Sequence, residues 1–386
     1  MPSGIMESPF PYSQYVTGNR FVGRKADVTL LGNLLSQGEH VCIYEPPKTG
    51  KTSLIQQTLL SLNMMGKTFT VGQFSALNIR SAEDFILRLG NTVLKMVASA
   101  PHEFEALVQE YLGGTHFVFD SREFNQTGQV ISLGWPMDKD DILAMLRMPF
   151  ALAAARQPRM LLIIDEFNCV GNLEDPDQIL RPLSAVIKEN KVHNFSLIFT
   201  GSAVNAMGEI FGGSILFSRW VERVRLSPVP DEEMTENLHR GFLSSGKVVE
   251  KRLLTGVCQL FKGHLWYINH MINIADSLSR GYIMEPMLTE ALGSLVSIHE
   301  PSFIAVMNGL TTHQVSLLRA VVDGVTRFSA SEVIRKYGLN SSANVKRVKE
   351  ALMKKEVLML DGSDNPVIED PLFEYWVRKY YFQLKD

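Results

Sequence analysis

Residues 41–54 read Val41-Cys-Ile-Tyr-Glu-Pro-Pro-Lys-Thr-Gly-Lys-Thr-Ser-Leu54, and this stretch decides the fold. Its first four residues are apolar and predict a short buried strand, and a helical pattern runs from Leu54 to Leu62. Between them lies a loop with two prolines and the sequence Gly-Lys-Thr. A strand, such a loop and a helix in this order are typical of the P-loop, which binds phosphate groups.

The chemistry of a P-loop follows from its backbone. Successive N–H groups form an anion site at the N-terminus of a helix, where the helix dipole also favours negative charge. We expect Lys51 to reach the β- and γ-phosphates of a nucleotide and the Thr52 hydroxyl to ligate Mg²⁺. The loop residues predicted to contact the nucleotide are Lys48, Thr49, Gly50, Lys51, Thr52 and Ser53.

Position 45 departs from the P-loop pattern, because it holds Glu45 where the pattern has glycine. The glutamate adds a negative charge near a polyphosphate, and Pro46 and Pro47 supply no N–H donor. The later loop residues keep their N–H groups, so we predict a working nucleotide site. The alternative is a chance Gly-Lys-Thr on a surface loop, and the features downstream argue against it.

The composition is that of an ordinary globular protein. The chain has 386 residues, of which 45% are hydrophobic and 20% are charged, and this length predicts two or three domains. The net charge of −3 gives no general attraction to nucleic acid, so a basic surface would have to be local.

The compartment is predicted from what the chain lacks. Its three cysteines have no metal-like spacing, and a sparse, odd number is typical of a reducing compartment. Residues 1–16 lack the apolar core of a signal peptide. No run approaches the roughly 18 apolar residues that span a bilayer. We therefore expect a cytoplasmic protein with no membrane partner.

A second apolar run, Arg159-Met-Leu-Leu-Ile-Ile-Asp165, predicts a strand of a parallel sheet. Asp165 and Glu166 follow at its C-terminal end, which is where ligands bind in open α/β sheets. We expect Asp165 to hold Mg²⁺ and Glu166 to act as the general base on the attacking water. A merely solvated strand end is the alternative. Asn168 would hydrogen-bond Glu166 or the water, or only cap the loop.

A further strand, 195–202, ends in Thr-Gly-Ser, and we expect its end beside the P-loop strand and the Asp165 strand. Thr200 and Ser202 would touch the γ-phosphate or the water, or serve only as turn residues. Residues 217–228 carry three arginines, and an arginine can stabilise the charge of a transferring phosphate. The residues alone do not distinguish among the three; the resemblance described below implies that Arg219 is the candidate catalytic residue.

Residues 101–138 interrupt the alternation of strands and helices. Two short strands, Phe117 to Asp120 and Val130 to Leu133, flank the polar stretch Asn125 to Gly128. We predict a β-hairpin insertion around 113–136. It would be a surface elaboration or an element that contacts a partner.

The C-terminal part predicts two further units. Residues 230–300 are helical throughout and predict an all-α subdomain. Residues 301–386 predict helix, helix, turn, helix and hairpin, the plan of a winged helix-turn-helix, with Ser329 capping the second helix. Its third helix carries Lys346, Arg347 and Lys349, enough charge to meet DNA phosphates. A solvated helix face, or a protein-contact or autoinhibitory role, is the alternative.

These motifs, in this order, resemble the archaeal-type ATPases of the STAND group and, more distantly, the Orc/Cdc6-type AAA+ proteins. The residues that carry the resemblance are Phe21-Val-Gly-Arg24, the P-loop, Leu-Leu-Ile-Ile-Asp-Glu-Phe167, the Thr-Gly-Ser strand end, Phe-Ser-Arg219, Gly263-His264 and the winged helix.

The resemblance implies an α/β fold with a five-stranded parallel P-loop NTPase sheet, in which the Thr200 strand lies between the P-loop and Asp165 strands. An all-α lid subdomain and a winged helix-turn-helix domain would follow. The implied boundaries are an N-terminal extension at 1–16, an ATPase core at 17–229, a lid at 230–300 and a winged helix at 301–386. Phe21, Val22 and Arg24 would lie near the adenine.

We thus expect a protein that binds ATP or ADP with Mg²⁺, turns over slowly and acts as a nucleotide-dependent conformational switch. Its partners would be the nucleotide, DNA through the winged helix, a protein partner or a second copy in a homo-oligomer. Two other classes stay open at this point: an ATP-responsive DNA-binding regulator, and an interaction scaffold that nucleotide stabilises without turnover.

Overall fold

The computed structural model describes residues 8–190, 193–213 and 216–384. These residues form two compact units, and both are discontinuous in sequence. The sheet unit contains Lys25–Glu45 and Gln57–Leu226. The loop unit contains the residues up to Arg24, Pro46–Gln56 and the chain from Ser227 onward.

The sheet unit is built on five parallel strands in the order β2-β5-β6-β1-β7. This confirms the predicted sheet, including the place of the Thr200 strand (β6) between β1 and β5. The strands are β1 (His40–Tyr44), β2 (Phe69–Ser75), β5 (Arg159–Asp165), β6 (Phe195–Gly201) and β7 (Val221–Arg223).

The apolar runs explain why these strands are central. Every residue of β1 and β6 is buried, and so are the five middle residues of β5. Strands covered on both faces need apolar side chains on both faces, which is why the sequence runs without alternation.

Helices cover the sheet, and local capping fixes where some of them begin. Ser81 accepts a hydrogen bond from the Asp84 N–H (3.1 Å) at the start of α3. The helices outside the insertion are α1 (Lys25–Gln37), α2 (Lys51–Met64), α3 (Ala82–Val97), α4 (Pro101–Leu112), α6 (Lys139–Ala155), α7 (Asp177–Glu189) and α8 (Val204–Phe211), with a 3-10 helix at Phe167–Asn172.

The insertion differs from the predicted hairpin. Strands β3 (Phe117–Val118) and β4 (Ser132–Leu133) do pair antiparallel. However, a helix, α5 (Ser121–Thr127), connects them where a polar turn was expected. Asp120 caps this helix through the Arg122 and Glu123 N–H groups, and Gly128 ends it with a left-handed φ of 74°. Three of the four residues expected in the turn, Asn125 to Thr127, thus belong to the last turn of α5.

The loop unit contains the helical subdomain and the winged helix on one continuous core. The helical part has α9 (Asp231–Ser244), β8 (Val248–Val249), α10 (Lys251–Leu260), α11 (Leu265–Leu278), β9 (Tyr282–Ile283) and α12 (Glu285–Asn308). The winged helix adds α13 (Thr312–Val322), α14 (Ser331–Tyr337), α15 (Ser342–Lys354), β10 (Leu358–Leu360), β11 (Pro366–Ile368) and α16 (Pro371–Trp376), followed by a π-helical turn, Val377–Tyr381.

Polar contacts join the two parts of this core. The Trp376 indole donates to Glu300 at 2.9 Å, and the Tyr267 hydroxyl donates to Asp370 at 2.6 Å. The predicted cap at Ser329 is wrong, because α14 begins at Ser331 and its N-cap residue, Ala330, has no capping side chain.

The N-terminal segment is anchored in the loop unit by an aromatic side chain. Phe10 is 1% exposed and its ring lies 4.6 Å from that of Phe242. A Cβ at Gly241 would approach the Phe10 ring to 2.5 Å, so this position has room only for glycine. Tyr12 stacks on His270 at 4.0 Å, and a 3-10 turn, Gly18–Arg20, follows.

Within residues 8–190, 193–213 and 216–384, no helix combines the length and the apolar character needed to cross a membrane.

Candidate active site

The polar ends of two sheet strands meet at one edge of the sheet. In the parallel register Ile43 of β1 pairs with Thr200 of β6, and Ile164 of β5 pairs with Phe199. Asp165 and Thr200 therefore stand at the same level, where β1 also ends. Parallel strands have this property because their carboxyl ends share one edge.

Asp165 is held by its neighbours on the sheet. The Thr200 hydroxyl donates to Asp165 Oδ1, and the Glu166 N–H donates to the same oxygen at 3.1 Å. Thr200 is 3% exposed, so its hydroxyl is withdrawn from bulk water. The sequence left open whether Thr200 serves only as a turn residue. In the structure its hydroxyl orients the Asp165 carboxylate.

Glu166 has an unusual backbone and a fixed side chain. Its φ and ψ of 51° and 42° lie in the left-handed region, which few non-glycine residues adopt. The Ser202 hydroxyl donates to Glu166 Oε2 at 2.6 Å, and the Ser202 N–H donates to the same atom at 3.2 Å. Two donors hold the carboxylate, and backbone strain of this kind is commonly found at functional sites.

Asn168 is buried behind these acids, with 7% of its surface exposed. Within the described part of the chain, its Oδ1 has no hydrogen-bond partner. A Cβ at Gly201 would lie 2.7 Å from that oxygen, so the strand must carry glycine there. The predicted hydrogen bond from Asn168 to Glu166 is not among the contacts of the described residues.

In the loop unit, the P-loop leads into α2, which begins at Lys51. Lys51 is 8% exposed and its ammonium donates to the Pro46 carbonyl at 3.0 Å. The Thr49 hydroxyl donates to the same carbonyl at 2.8 Å. Ser53 accepts a hydrogen bond from the Val16 N–H at 3.1 Å, whereas Thr52 is exposed.

Arg24 supports the P-loop from the lead-in segment. Its Nη1 donates to the Thr49 carbonyl at 2.7 Å, and its Nε donates to the Ser227 carbonyl at 2.8 Å. Gly50 has a φ of 104°, and a Cβ there would meet Arg24 Nη1 at 2.8 Å. The glycine of the motif is thus required both by its backbone angle and by Arg24.

Lys48 contacts an aromatic residue that sequence reasoning missed. Its ammonium lies 3.5 Å from the centre of the Trp266 ring, a cation–π contact. Burial lowers the pKa of Lys48, and the nearby Asp370 carboxylate opposes this effect. Trp266 lies two residues after His264. Its position next to the Gly263-His264 motif is the feature of the sequence that could have identified it.

A cavity of about 330 Å³ opens beside the P-loop, entirely within the loop unit. Six predicted site residues line it, namely Phe21, Val22, Arg24, Lys48, Gly50 and Ser53. The helical subdomain contributes Met234, Asn237, Leu265, Trp266 and Asn269, and the N-terminal segment contributes Tyr12. Its size and mixed apolar and polar lining are those of a small-molecule site.

Glu45 belongs to the sheet unit, and its Oε1 accepts a hydrogen bond from the Leu226 N–H at 3.4 Å. The glutamate thus ties the end of β1 to the chain that follows β7.

Two of the three arginines at 217–228, Arg223 and Arg219, have different surroundings. Arg223 packs its guanidinium over the Tyr44 ring at 3.9 Å. Arg219 is exposed in the turn before β7, and no hydrogen bond or ion pair among the described residues joins it to Asp165 or Glu166.

Comparison with known proteins supports the architecture. Residues 301–379 match a family model described as a probable winged helix domain. The structure is similar to that of the Walker-type ATPase PABY2304 of Pyrococcus abyssi, with a TM-score of 0.65, 14% identity, and 96% of this chain and 99% of that chain covered. It is also similar to the ORC2 protein of Aeropyrum pernix, solved as ADPNP–ADP complexes, with a TM-score of 0.58, 16% identity, and 94% and 93% covered.

No curated protein matches the sequence. At these identities the structural likeness establishes the fold, which is that of a Walker-type ATPase with a C-terminal winged helix.

We predict that Thr200→Val removes the hydroxyl that orients Asp165 and leaves the buried end of the strand with one hydrogen bond fewer. The loss of a buried partner should lower the free energy of unfolding by about 1–3 kcal/mol. Urea denaturation measures this change. Valine keeps the volume of threonine, so an unchanged free energy of unfolding in Thr200→Val would contradict the prediction. Thr200→Ser keeps the hydroxyl but removes a buried methyl group, and it therefore measures the separate contribution of volume at this position.

Proposed function

We propose that the chain binds ATP with Mg²⁺ at the P-loop, hydrolyses it slowly and uses the nucleotide as a conformational switch. The cavity beside the P-loop carries this proposal, because residues chosen from the sequence for nucleotide contact line it together. The base would lie towards Phe21 and Val22, and the phosphates would lie along the loop from Lys48 to Thr52.

The loop residues are suited to phosphate. The Lys51 ammonium donates to a carbonyl, that of Pro46, and a phosphate oxygen is a stronger, charged acceptor for the same donor. The N–H groups at the start of α2 would add their dipole. Lys48, packed on Trp266, supplies a second cation at the cavity wall.

Thr52 and Asp165 are the residues that would hold Mg²⁺. A hydroxyl and a carboxylate are oxygen ligands of the kind that Mg²⁺ takes. The Thr200 hydrogen bond supports this role for Asp165, because it fixes the carboxylate before any ligand arrives. When bound, the ion would neutralise charge on the phosphate oxygens.

Glu166 is the proposed general base. Ser202 holds its Oε2 with two donors, so the carboxylate needs no reorganisation before it accepts a proton from water. Arg219 is the proposed cation for the charge on the transferring phosphate. Because it is exposed, a partner or a rearrangement of its turn would bring it into use. Glu45 in place of glycine favours slow turnover.

The switch would act through the loop unit. The P-loop, the helical subdomain and the winged helix all belong to this unit, so a change in the loop can reach the winged helix through packed side chains. ATP binding with no turnover, as in a regulator or scaffold, is distinguished from this proposal by steady-state phosphate release.

A second candidate function is DNA binding by the winged helix. The Lys346 side chain is 79% exposed, and its ion pair with Glu350 is long at 3.9 Å. A shallow surface pocket lies between α15 and the β10–β11 hairpin, and its lining includes Arg327, Lys346, Lys349 and Asn365. Exposed cations of this kind could meet phosphates.

We predict that Lys51→Ala weakens Mg-ATP binding by roughly 30- to 4,000-fold, which corresponds to about 2–5 kcal/mol when one partner of a buried charge pair is removed. Isothermal titration calorimetry measures the affinity. Lys95→Ala, a change at an exposed lysine of α3, is the control and should bind like the wild type. Equal affinities in all three proteins would contradict the P-loop assignment.

We predict that Glu166→Gln keeps ATP binding and lowers the hydrolysis rate by about 10²- to 10⁴-fold, because the amide has a similar shape but does not take a proton from water. Phosphate release under steady-state conditions measures the rate. Glu174→Gln changes an exposed acid of the same connection and should leave the rate unchanged. Unchanged release in Glu166→Gln would remove this residue as the base.

If the winged helix binds DNA, the combined change of Lys346, Arg347 and Lys349 to alanine should flatten the slope of log affinity against log salt by about 0.9 for each phosphate that these cations neutralise. Binding of the full chain to a fluorescent duplex across a salt series measures the slope. Lys188→Ala, at an exposed position of the sheet unit, is the control. Absence of binding at low salt would leave protein contact as the role of the domain.

A further inference from the structure

The N-terminal segment, residues 9–16, forms one wall of the cavity beside the P-loop. Residues 1–16 are predicted to be an extension outside the ATPase core, and no ligand contact is predicted for them. In the structure, however, five residues of the segment line the cavity, namely Pro9, Pro11, Tyr12, Gln14 and Val16. The segment, the P-loop and the helical subdomain all belong to the loop unit, so the cavity has its walls within one unit.

Contacts at both ends hold this segment in place. At one end Phe10 is buried against Phe242, and the Asn273 amide of α11 donates to the Phe10 carbonyl at 3.5 Å. At the other end the Val16 N–H donates to the Ser53 hydroxyl of α2 at 3.1 Å. Ser53 directly follows the Gly-Lys-Thr sequence. The segment therefore runs from the helical subdomain to the first turn of the P-loop helix and is fixed to both.

The Tyr12 ring, in the middle of the segment, is held with one face covered. It stacks on the His270 ring, with 4.0 Å between the ring centres and 8° between the ring planes. His270 is 7% exposed, so it is part of the packed interior behind Tyr12. Tyr12 itself is only partly buried and lines the cavity. Because one face lies on His270, the ring presents its other face or its edge to the cavity.

A second aromatic ring of the cavity stands at a steep angle to Tyr12. The planes of Tyr12 and Trp266 meet at 76°, with 6.1 Å between the ring centres, and both rings line the cavity. Trp266 has the Lys48 ammonium over its ring at 3.5 Å. No cation among the described residues lies over Tyr12. Of the two rings, Tyr12 is thus the one that can receive a flat, uncharged group.

The charges of the lining favour an anionic ligand. The cations that line the cavity are Arg20, Arg24, Lys48 and Arg240, and no acidic residue of the described part of the chain lines it. A ligand that carries both phosphates and an aromatic base matches the cations and the rings together. Bases stack readily on aromatic side chains, since every base has a flat π-face.

We propose that residues 9–16 are a strap of the nucleotide site and that the base of a nucleoside polyphosphate stacks on the Tyr12 ring of this strap. The inference rests on the proposed nucleotide function and adds to it a segment predicted to lie outside the ATPase core. The base would have Tyr12 on one side, with Phe21 and Val22 in the same cavity. Stacking of this kind tolerates any base, so Tyr12 supplies affinity for nucleosides rather than a preference for adenine.

The test is calorimetric titration of the full chain with Mg-ATP. Loss of the ring in Tyr12→Ala should weaken binding by about 5- to 150-fold, the range for one base–aromatic stack, and Tyr12→Phe should bind like the wild type. Tyr15→Ala is the matched control, because Tyr15 lies in the same segment, is 55% exposed and is not among the residues that line the cavity. Inorganic tripolyphosphate, which has no base, should bind the wild type and Tyr12→Ala equally.

Photolabelling locates the base by an independent route. The full chain is irradiated with Mg²⁺ and an azido derivative of ATP that carries the photoreactive group on the base, and it is then digested with trypsin. Cleavage after Arg20 and Arg24 separates Tyr12 from Phe21 and Val22. We expect label in the peptide that ends at Arg20, and we expect excess ATP to prevent it.

The outcomes separate the inference from the function on which it rests. An unchanged Kd in Tyr12→Ala overturns the strap alone, and so does equal weakening of ATP and tripolyphosphate, because the segment would then act only on the P-loop. Should Tyr12→Ala not fold, as checked by circular dichroism, Tyr12→Leu takes its place, since it keeps an apolar side chain without a ring. Where tripolyphosphate binds too weakly to measure, label confined to other peptides overturns the strap. No ATP binding by the wild type overturns the proposed function and the strap together.

Discussion

The parallel hydrogen bonding of β5, β6 and β1 is the constraint on which the candidate site depends. It places Asp165 and Thr200, which are 35 positions apart in the chain, at the same level of the sheet. Position 201 must then be glycine, because Asn168 and Met207 fill the space of a side chain. The polar groups at this edge hold one another before any ligand arrives, and such preorganisation is what electrostatic catalysis requires.

Much of this arrangement could be predicted from the sequence, because it depends on local patterns. Continuous apolar runs identify the buried parallel strands, and the residues after them identify the acids. The connection between β3 and β4 could not be predicted, because Asn125 to Gly128 suit a turn and the last turn of a helix equally well. Arg24 was selected through the family resemblance, but its contact with the Thr49 carbonyl depends on two segments that only the fold brings together.

Contacts distant in sequence account for most of what was missed. Trp266 lies more than 200 residues after Lys48, whose ammonium it contacts, and it belongs to no P-loop motif. Trp266 is a partly buried residue near the start of α11, and the pattern of that helix does not indicate which other segment lies against it. The shared core of the helical subdomain and the winged helix could not be predicted either. Each part has its own apolar pattern, and neither pattern indicates that the other part packs against it. A movement that separates them has to break the Tyr267–Asp370 hydrogen bond and expose apolar side chains.

The interleaving of the two units has a consequence for protein synthesis. The sheet unit is complete in sequence at Leu226, whereas the P-loop segment, Pro46–Gln56, belongs to a unit whose other residues mostly follow Ser227. At about 5–20 residues per second, the ribosome needs roughly 8–32 s to make residues 227–386. During that time the nascent chain can form its sheet while residues 46–56 lack the partners of their own core. The segment with the ligand-binding motif is thus made early and receives its surroundings last.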